Sequence, residues 1–97
     1  MDDDKLPIEA LPSTTRLAKL LYHTLEEQML VFLKTGDRLT FTELLNAFSF
    51  DLQAYHENFD HWLAAKLPQY YRELREFDET LLKADALLSE AARLVAH

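Results

Sequence analysis

Residues 39–67 read LTFTELLNAFSFDLQAYHENFDHWLAAKL, and the way this stretch divides decides the fold. Leu39-Thr40-Phe41-Thr42-Glu43-Leu44 predicts the start of a helix. The Thr40 side chain would accept from the backbone N–H three residues on, and Glu43 would reach back to the N–H of Thr40. Leu39 and Leu44 would close a hydrophobic staple. Beyond that start, two divisions are open. In the first, Phe41, Leu45, Phe48, Leu52, Tyr55, Phe59 and Trp62 alternate at spacings of four and three. They form the apolar seam of one long helix, with Phe50 on the opposite, wet face. In the second, the helix breaks at Ser49-Phe50-Asp51, Phe50 is buried in a turn, and Asp51 caps a second helix that runs to Lys66.

Under the second division, residues 30–67 resemble the helix-turn-helix core of winged-helix transcriptional regulators. The residues that carry the resemblance are Leu30, Leu33, Gly36, Leu39-Thr40, Glu43-Leu44, Phe48, Phe50, Tyr55, Phe59, Trp62 and Leu67. It implies a DNA-binding regulator in which Gln53 and Asn58 would read bases. Three features depart from that family. Ser49 stands where glycine is usual, Pro68-Gln69-Tyr70-Tyr71 offers no hairpin for a wing, and the would-be reading helix carries Asp51, Glu57 and Asp60. Attraction of Lys and Arg to phosphate supplies essentially all non-specific DNA affinity. Three carboxylates entering the major groove would be repelled, so even a helix-turn-helix copy is expected here to bind protein.

The rest of the composition narrows the class. Ninety-seven residues with 48% hydrophobic content make one domain. A net charge of −7 disfavours nucleic acid and anionic membranes as partners. The chain has no cysteine, which removes disulfides, thiolate zinc sites and cysteine nucleophiles together. No apolar run approaches the roughly 18 residues of a membrane span, and the acidic N-terminus does not look like a secretory signal. A cytoplasmic location is expected. The single glycine, Gly36, is too few for sheets or phosphate loops and predicts an all-α chain.

In chain order, residues 1–12 read as a charged, extended leader, because Pro7 and Pro12 oppose helix. Its Leu6, Ile8 and Leu11 are expected to lie across a helical surface. Residues 13–35 form the first helix, capped by Ser13 or Thr14 and closed by Gly36 in the left-handed conformation. Leu17, Leu21, Leu25 and Phe32 mark its apolar stripe, with Leu20 beside it. Met29-Leu30-Val31-Phe32-Leu33 is apolar all round and should be surrounded by protein. The central stretch covers 40–67. Pro68 then fits the first turn of a new helix, and a one-residue slip in the seam turns the stripe by about 100°, which predicts a corner. Residues 69–96 form a long C-terminal helix with a heptad seam at Tyr70, Leu74, Phe77, Leu81, Ala84, Leu88, Ala91 and Val95.

Three main helices in a bundle are therefore expected, the last longer than its neighbours. A rod of about 40 Å against a first helix of about 32 Å would leave apolar seam uncovered. That predicts a homodimer built on Leu74, Phe77, Leu81, Leu87, Leu88 and Leu94. Phe50, Glu57, Asp60 and Tyr71 are the candidates for contact with another protein, since aromatics are favoured at interface centres.

Catalytic and metal chemistry find little purchase. His56, Glu57, Asp60 and His61 cluster on one face as two i,i+4 His–carboxylate pairs. The two imidazoles point about 140° apart, unlike a zinc pair. Arg16 and His23 share a helix face and faintly resemble the Arg–His pair of HEPN-family ribonucleases. No cofactor, metal or catalytic residue is assigned. The expected function is a small acidic regulatory or adaptor protein that works by protein–protein binding. A helix-turn-helix DNA-binding regulator, or an acidic inhibitor filling another protein's nucleic-acid site, are the alternatives.

Overall fold

The computed structural model describes residues 5–65 and 67–96. Residues 1–4 of the charged leader, and Lys66, lie outside the described residues. Three helices account for most of the chain: α1 (Leu11–Thr35), α2 (Arg38–Ala64) and α3 (Tyr71–Ala96). Short 3-10 turns at Ile8–Ala10 and Pro68–Tyr70 introduce α1 and α3. No strand occurs among the described residues. No helix there is long and apolar enough to cross a membrane.

α1 begins earlier than its sequence suggests. Pro12 sits in the first turn, where its missing N–H has no intrahelical partner to lose. The cap position is Ala10, not Ser13 or Thr14. The hydroxyls of both those residues donate backwards to the Ala10 carbonyl, at 3.2 and 2.8 Å. At the other end Gly36 adopts φ 70°, and its N–H donates to Phe32 O at 2.7 Å. Only glycine takes that conformation without a Cβ penalty.

α2 is one helix through residues 49–51. The break that would make a helix-turn-helix is absent, for a steric reason. Phe48 and Leu52 are both buried, and a residue two positions from each on a helix points about 200° away. Phe50 therefore cannot go in with them and stays 74% exposed. The start of α2 also differs from expectation. Asp37 is the cap, its Oδ1 accepting from Thr40 N at 3.2 Å, and Thr40 lies inside the helix. Leu39 is 73% exposed, so it closes no staple. The expected corner is present: Leu67 is extended (φ −95°, ψ 102°), Pro68–Tyr70 makes one tight turn, and α3 follows.

The three helices have 25, 27 and 26 residues, so each is about 37–40 Å long. This equality removes the length argument for a dimer seam on α3. α3 packs against both other helices, and its apolar row is covered by its own chain. Leu74 is 3% exposed and Phe77 and Leu81 are 0%. Leu87, Leu88 and Leu94 are half-buried against the far end of the core. The surplus length inferred from sequence came from starting α1 too late and from allowing α2 to break.

The core has two parts. At one end Leu11, Ala18, Leu52, Trp62, Leu74, Phe77, Leu81 and Ala84 pack together; at the other, Leu25, Phe32, Phe41, Leu45, Phe48 and Ala91. This pairing of early α1 with late α2 and early α3 is that of an up-down-up bundle. Phe77 is the hub of the first part, with Tyr55, Phe59 and Trp62 rings 6.3, 6.0 and 5.7 Å from its own. Phe32 and Phe41 stack at 4.7 Å beside the α1–α2 turn. The leader is tied down through its backbone, while the Leu6 side chain stays exposed and Ile8–Ala10 is a turn, not extended chain. Leu6 N donates to Asn58 Oδ1 and Trp62 Nε1 donates to Leu6 O, both at 2.9 Å.

Candidate protein-binding surfaces

The bundle is elongated, with extents of 46 × 28 × 19 Å and a radius of gyration of 14.9 Å. A compact chain of this length would have about 12–13 Å. Elongation raises surface relative to core, and much of the extra surface here is apolar. Leu17, Leu20, Leu30, Val31 and Leu33 on α1 are each 47–62% exposed. Leu39 and Phe50 on α2 are 73% and 74% exposed, and Leu63 is 49% exposed. The only large apolar side chains of α3 as open are Tyr71 and Leu82.

Several of these positions reverse what the sequence suggested. The sequence places Leu17 in the core stripe of α1 and Leu20 beside it. The buried stripe is instead Leu11, Thr14, Thr15, Ala18, Leu25 and Phe32. Its signal was present in the spacing: 11, 18, 25 and 32 follow strictly by sevens, and Ala18 is small because helices approach closely there. Met29-Leu30-Val31-Phe32-Leu33 is not surrounded by its own chain. Phe32 is buried and Met29 half-buried, while Leu30, Val31 and Leu33 face outwards.

Phe50, Glu57 and Asp60 come together on the outer face of α2, all exposed and within about 80° of one another around its axis. Tyr71 does not join them. It borders a separate groove of about 390 Å³ between α2 and α3, with Phe59, Leu63 and Arg75. Of the two residues that would read bases, Gln53 is exposed but Asn58 is buried. Asn58 holds the leader through Leu6, and its Nδ2 donates to Ala54 O at 3.0 Å.

The titratable groups pair across helices more than along them. His56 Nε2 lies 3.0 Å from Asp85 of α3, not against Asp60, and Glu57 meets Lys5 at 3.3 Å rather than His61. The i,i+4 pairs expected on this face are thus replaced by contacts to α3 and the leader, which pass close by. Lys19 and Glu76 pair between α1 and α3. His23 Nδ1 lies 3.2 Å from Glu26. The Arg16 side of α1 borders a groove of about 240 Å³ with Glu73 and Glu76. Hydrogen bonds from Thr40, first from its side chain and then from its backbone N–H, hold the Asp37 carboxyl below its ordinary value. Burial, and next the charge of Asp51, push the Tyr55 phenol up. No group of three or more His, Cys, Asp or Glu placed to hold a metal ion occurs among the described residues.

Another groove, of about 410 Å³, runs between the first half of α2 and the second half of α3. Its wall alternates Thr42, Asn46, Ser49 and Ser89 with Leu45, Leu88, Ala92 and Val95. Such hydroxyls, amide and aliphatics suit adhesion better than proton transfer, which calls for a positioned acid or base. No protein-family model, no curated protein and no solved structure matches this sequence.

Proposed function

We propose that this chain is a small non-enzymatic regulatory or adaptor protein that acts by binding another protein. The observation that carries the proposal is the set of large apolar side chains left open on α1 and α2 by a bundle whose core is otherwise well filled. Fully burying an exposed leucine is worth about 1.5–3 kcal/mol; these side chains are about half to three-quarters exposed, so covering each would contribute part of that. Phe50 supports the same reading as a single exposed aromatic anchor, with Asn46 and Gln53 on one side and Ala47 and Ala54 on the other. The exposed face of α2 carries Glu43, Asp51, Glu57 and Asp60, which favours protein over nucleic acid as the partner.

The test is site-specific photo-cross-linking in an extract of the source cells. A photoreactive residue is placed at Leu20 or Phe50, with the charged rear of α3 at Glu79 as the control. The proposal predicts discrete protein adducts from positions 20 and 50 that are absent from 79. Equal, diffuse labelling from all three positions would overturn it.

A further inference from the structure

We infer that the partner for the α1–α2 face is a second copy of this chain, docked about a two-fold axis that runs along the α1–α2 groove. The inference rests on the protein-binding reading and names the occupant.

The open apolar residues fall in rows. Helical spacing places Leu17, Leu20, Thr24 and Val31 along one side of α1. Val31 lines the α1–α2 groove with Thr40 and Leu44, so this row borders α2. On α2, Thr40, Ala47 and Ala54 follow by sevens, which places the two exposed alanines on the side nearest α1, with Phe50 beside them. Two leucines, a valine and a phenylalanine thus flank two exposed alanines, with Glu43 and Asp51 on the same side of α2. That is a surface onto which another helix can settle closely.

The area matches what two copies need. Two helices side by side, each about 10 Å across and nearly 40 Å long, offer a footprint of roughly 750 Å². A standard stable interface takes about 800 Å² from each partner.

Charge selects the arrangement. α1 carries Arg16 and Lys34 against Glu26 and Glu27, its Lys19 being engaged by Glu76 of α3; α2 carries Glu43, Asp51, Glu57 and Asp60 against Arg38. Stacking α2 on α2 would oppose like charges. Rotation about an axis along the groove instead lays α1 of each copy, with its Arg16 and Lys34, over the net-negative α2 of the other, and so avoids that repulsion. Because the two helices meet at the Gly36 turn, Phe50 lies at the height of His23. It therefore meets the partner copy's α1 beside Leu20 and Thr24.

Sedimentation velocity on the full chain over a wide concentration range tests the inference. The expected result is a reversible shift from the 11.3 kDa species to twice that mass. Leu20→Glu and Phe50→Lys should each weaken the dimer at least tenfold while leaving the helix content of the monomer unchanged, since both positions are exposed. Leu82→Glu, on the exposed side of α3, should leave it unaffected. A lone species at every concentration, or a dimer indifferent to both α1–α2 substitutions, would overturn the second copy as occupant. Neither result touches the protein-binding reading, which the cross-linking experiment decides separately.

Discussion

Replacing Leu81 with alanine separates a seam that faces its own bundle from one that faces a partner. Leu81 is 0% exposed and packs in the cluster that contains Leu52, Phe77 and Ala84. Truncating a buried leucine removes its transfer energy and leaves a cavity, at about 2.7–5 kcal/mol in well-packed cores. The same cluster holds the rings of Phe77 and Trp62, which are too large to collapse into the space, so about 3 kcal/mol is expected. Total stability for a chain of this size is about 5–15 kcal/mol, so the variant still folds. Its midpoint of thermal unfolding should fall by about 12–24 °C. The measurement is urea unfolding followed by far-ultraviolet circular dichroism in dilute protein, where any dimer has dissociated. The slope should be unchanged and the midpoint lower. A loss below about 0.5 kcal/mol, the range typical of surface substitutions, would refute the reasoning. It would place Leu81 outside the monomer's core and restore the α3 seam as an interface.

Three further outcomes follow from single contacts. Asn58→Ala should destabilise by about 1–3 kcal/mol, because it orphans the Leu6 N–H; amide exchange at Leu6 should accelerate by more than exchange at the centre of α3. Lowering the pH should weaken the start of α2. The Asp37 carboxyl is held down in the folded chain, so it contributes stability above its unfolded pKa of about 3.9, and that stability is lost as pH falls through the folded value. Acid titrations of the native protein and Asp37→Asn should converge at low pH and separate above it. Gly36→Ala meets no atom within 4 Å of the new Cβ, yet φ 70° strains it, so a loss of about 1 kcal/mol in urea unfolding is expected.

Much of the fold was legible because it depends on local rules. One glycine, three helical periodicities and Pro68 after a phase slip predict three helices and one sharp corner. What was not legible depends on which of several apolar rows wins. In α1, the stripe read from sequence, Leu17, Leu21, Leu25 and Phe32, shares its second half with the buried row Leu11, Ala18, Leu25 and Phe32, and leucines outweigh alanine on any hydropathy count. Packing chose the row with Ala18 because a small side chain lets α3 approach, and so Leu17 and Leu20 became surface. The caps moved for a similar reason. Thr40 and Glu43 satisfy a capping pattern, but Asp37 lies three residues earlier and its charged carboxylate is the stronger acceptor. Phe50, Glu57 and Asp60 were recognisable as surface because they oppose the seam of α2. The pairing of His56 with Asp85 was not, since nothing in either helix alone records which residue of the other passes by.

The central claim is that α1 and α2 hold the open apolar face while the α3 row is internal. Hydroxyl-radical footprinting across a protein dilution series addresses both halves at once. Leu17, Leu20 and Phe50 should be oxidised readily in dilute protein and become protected as concentration rises, while Leu74, Phe77 and Leu81 stay protected throughout. Ready oxidation of Leu74, Phe77 and Leu81 in dilute protein, with protection only on concentration, would contradict the account.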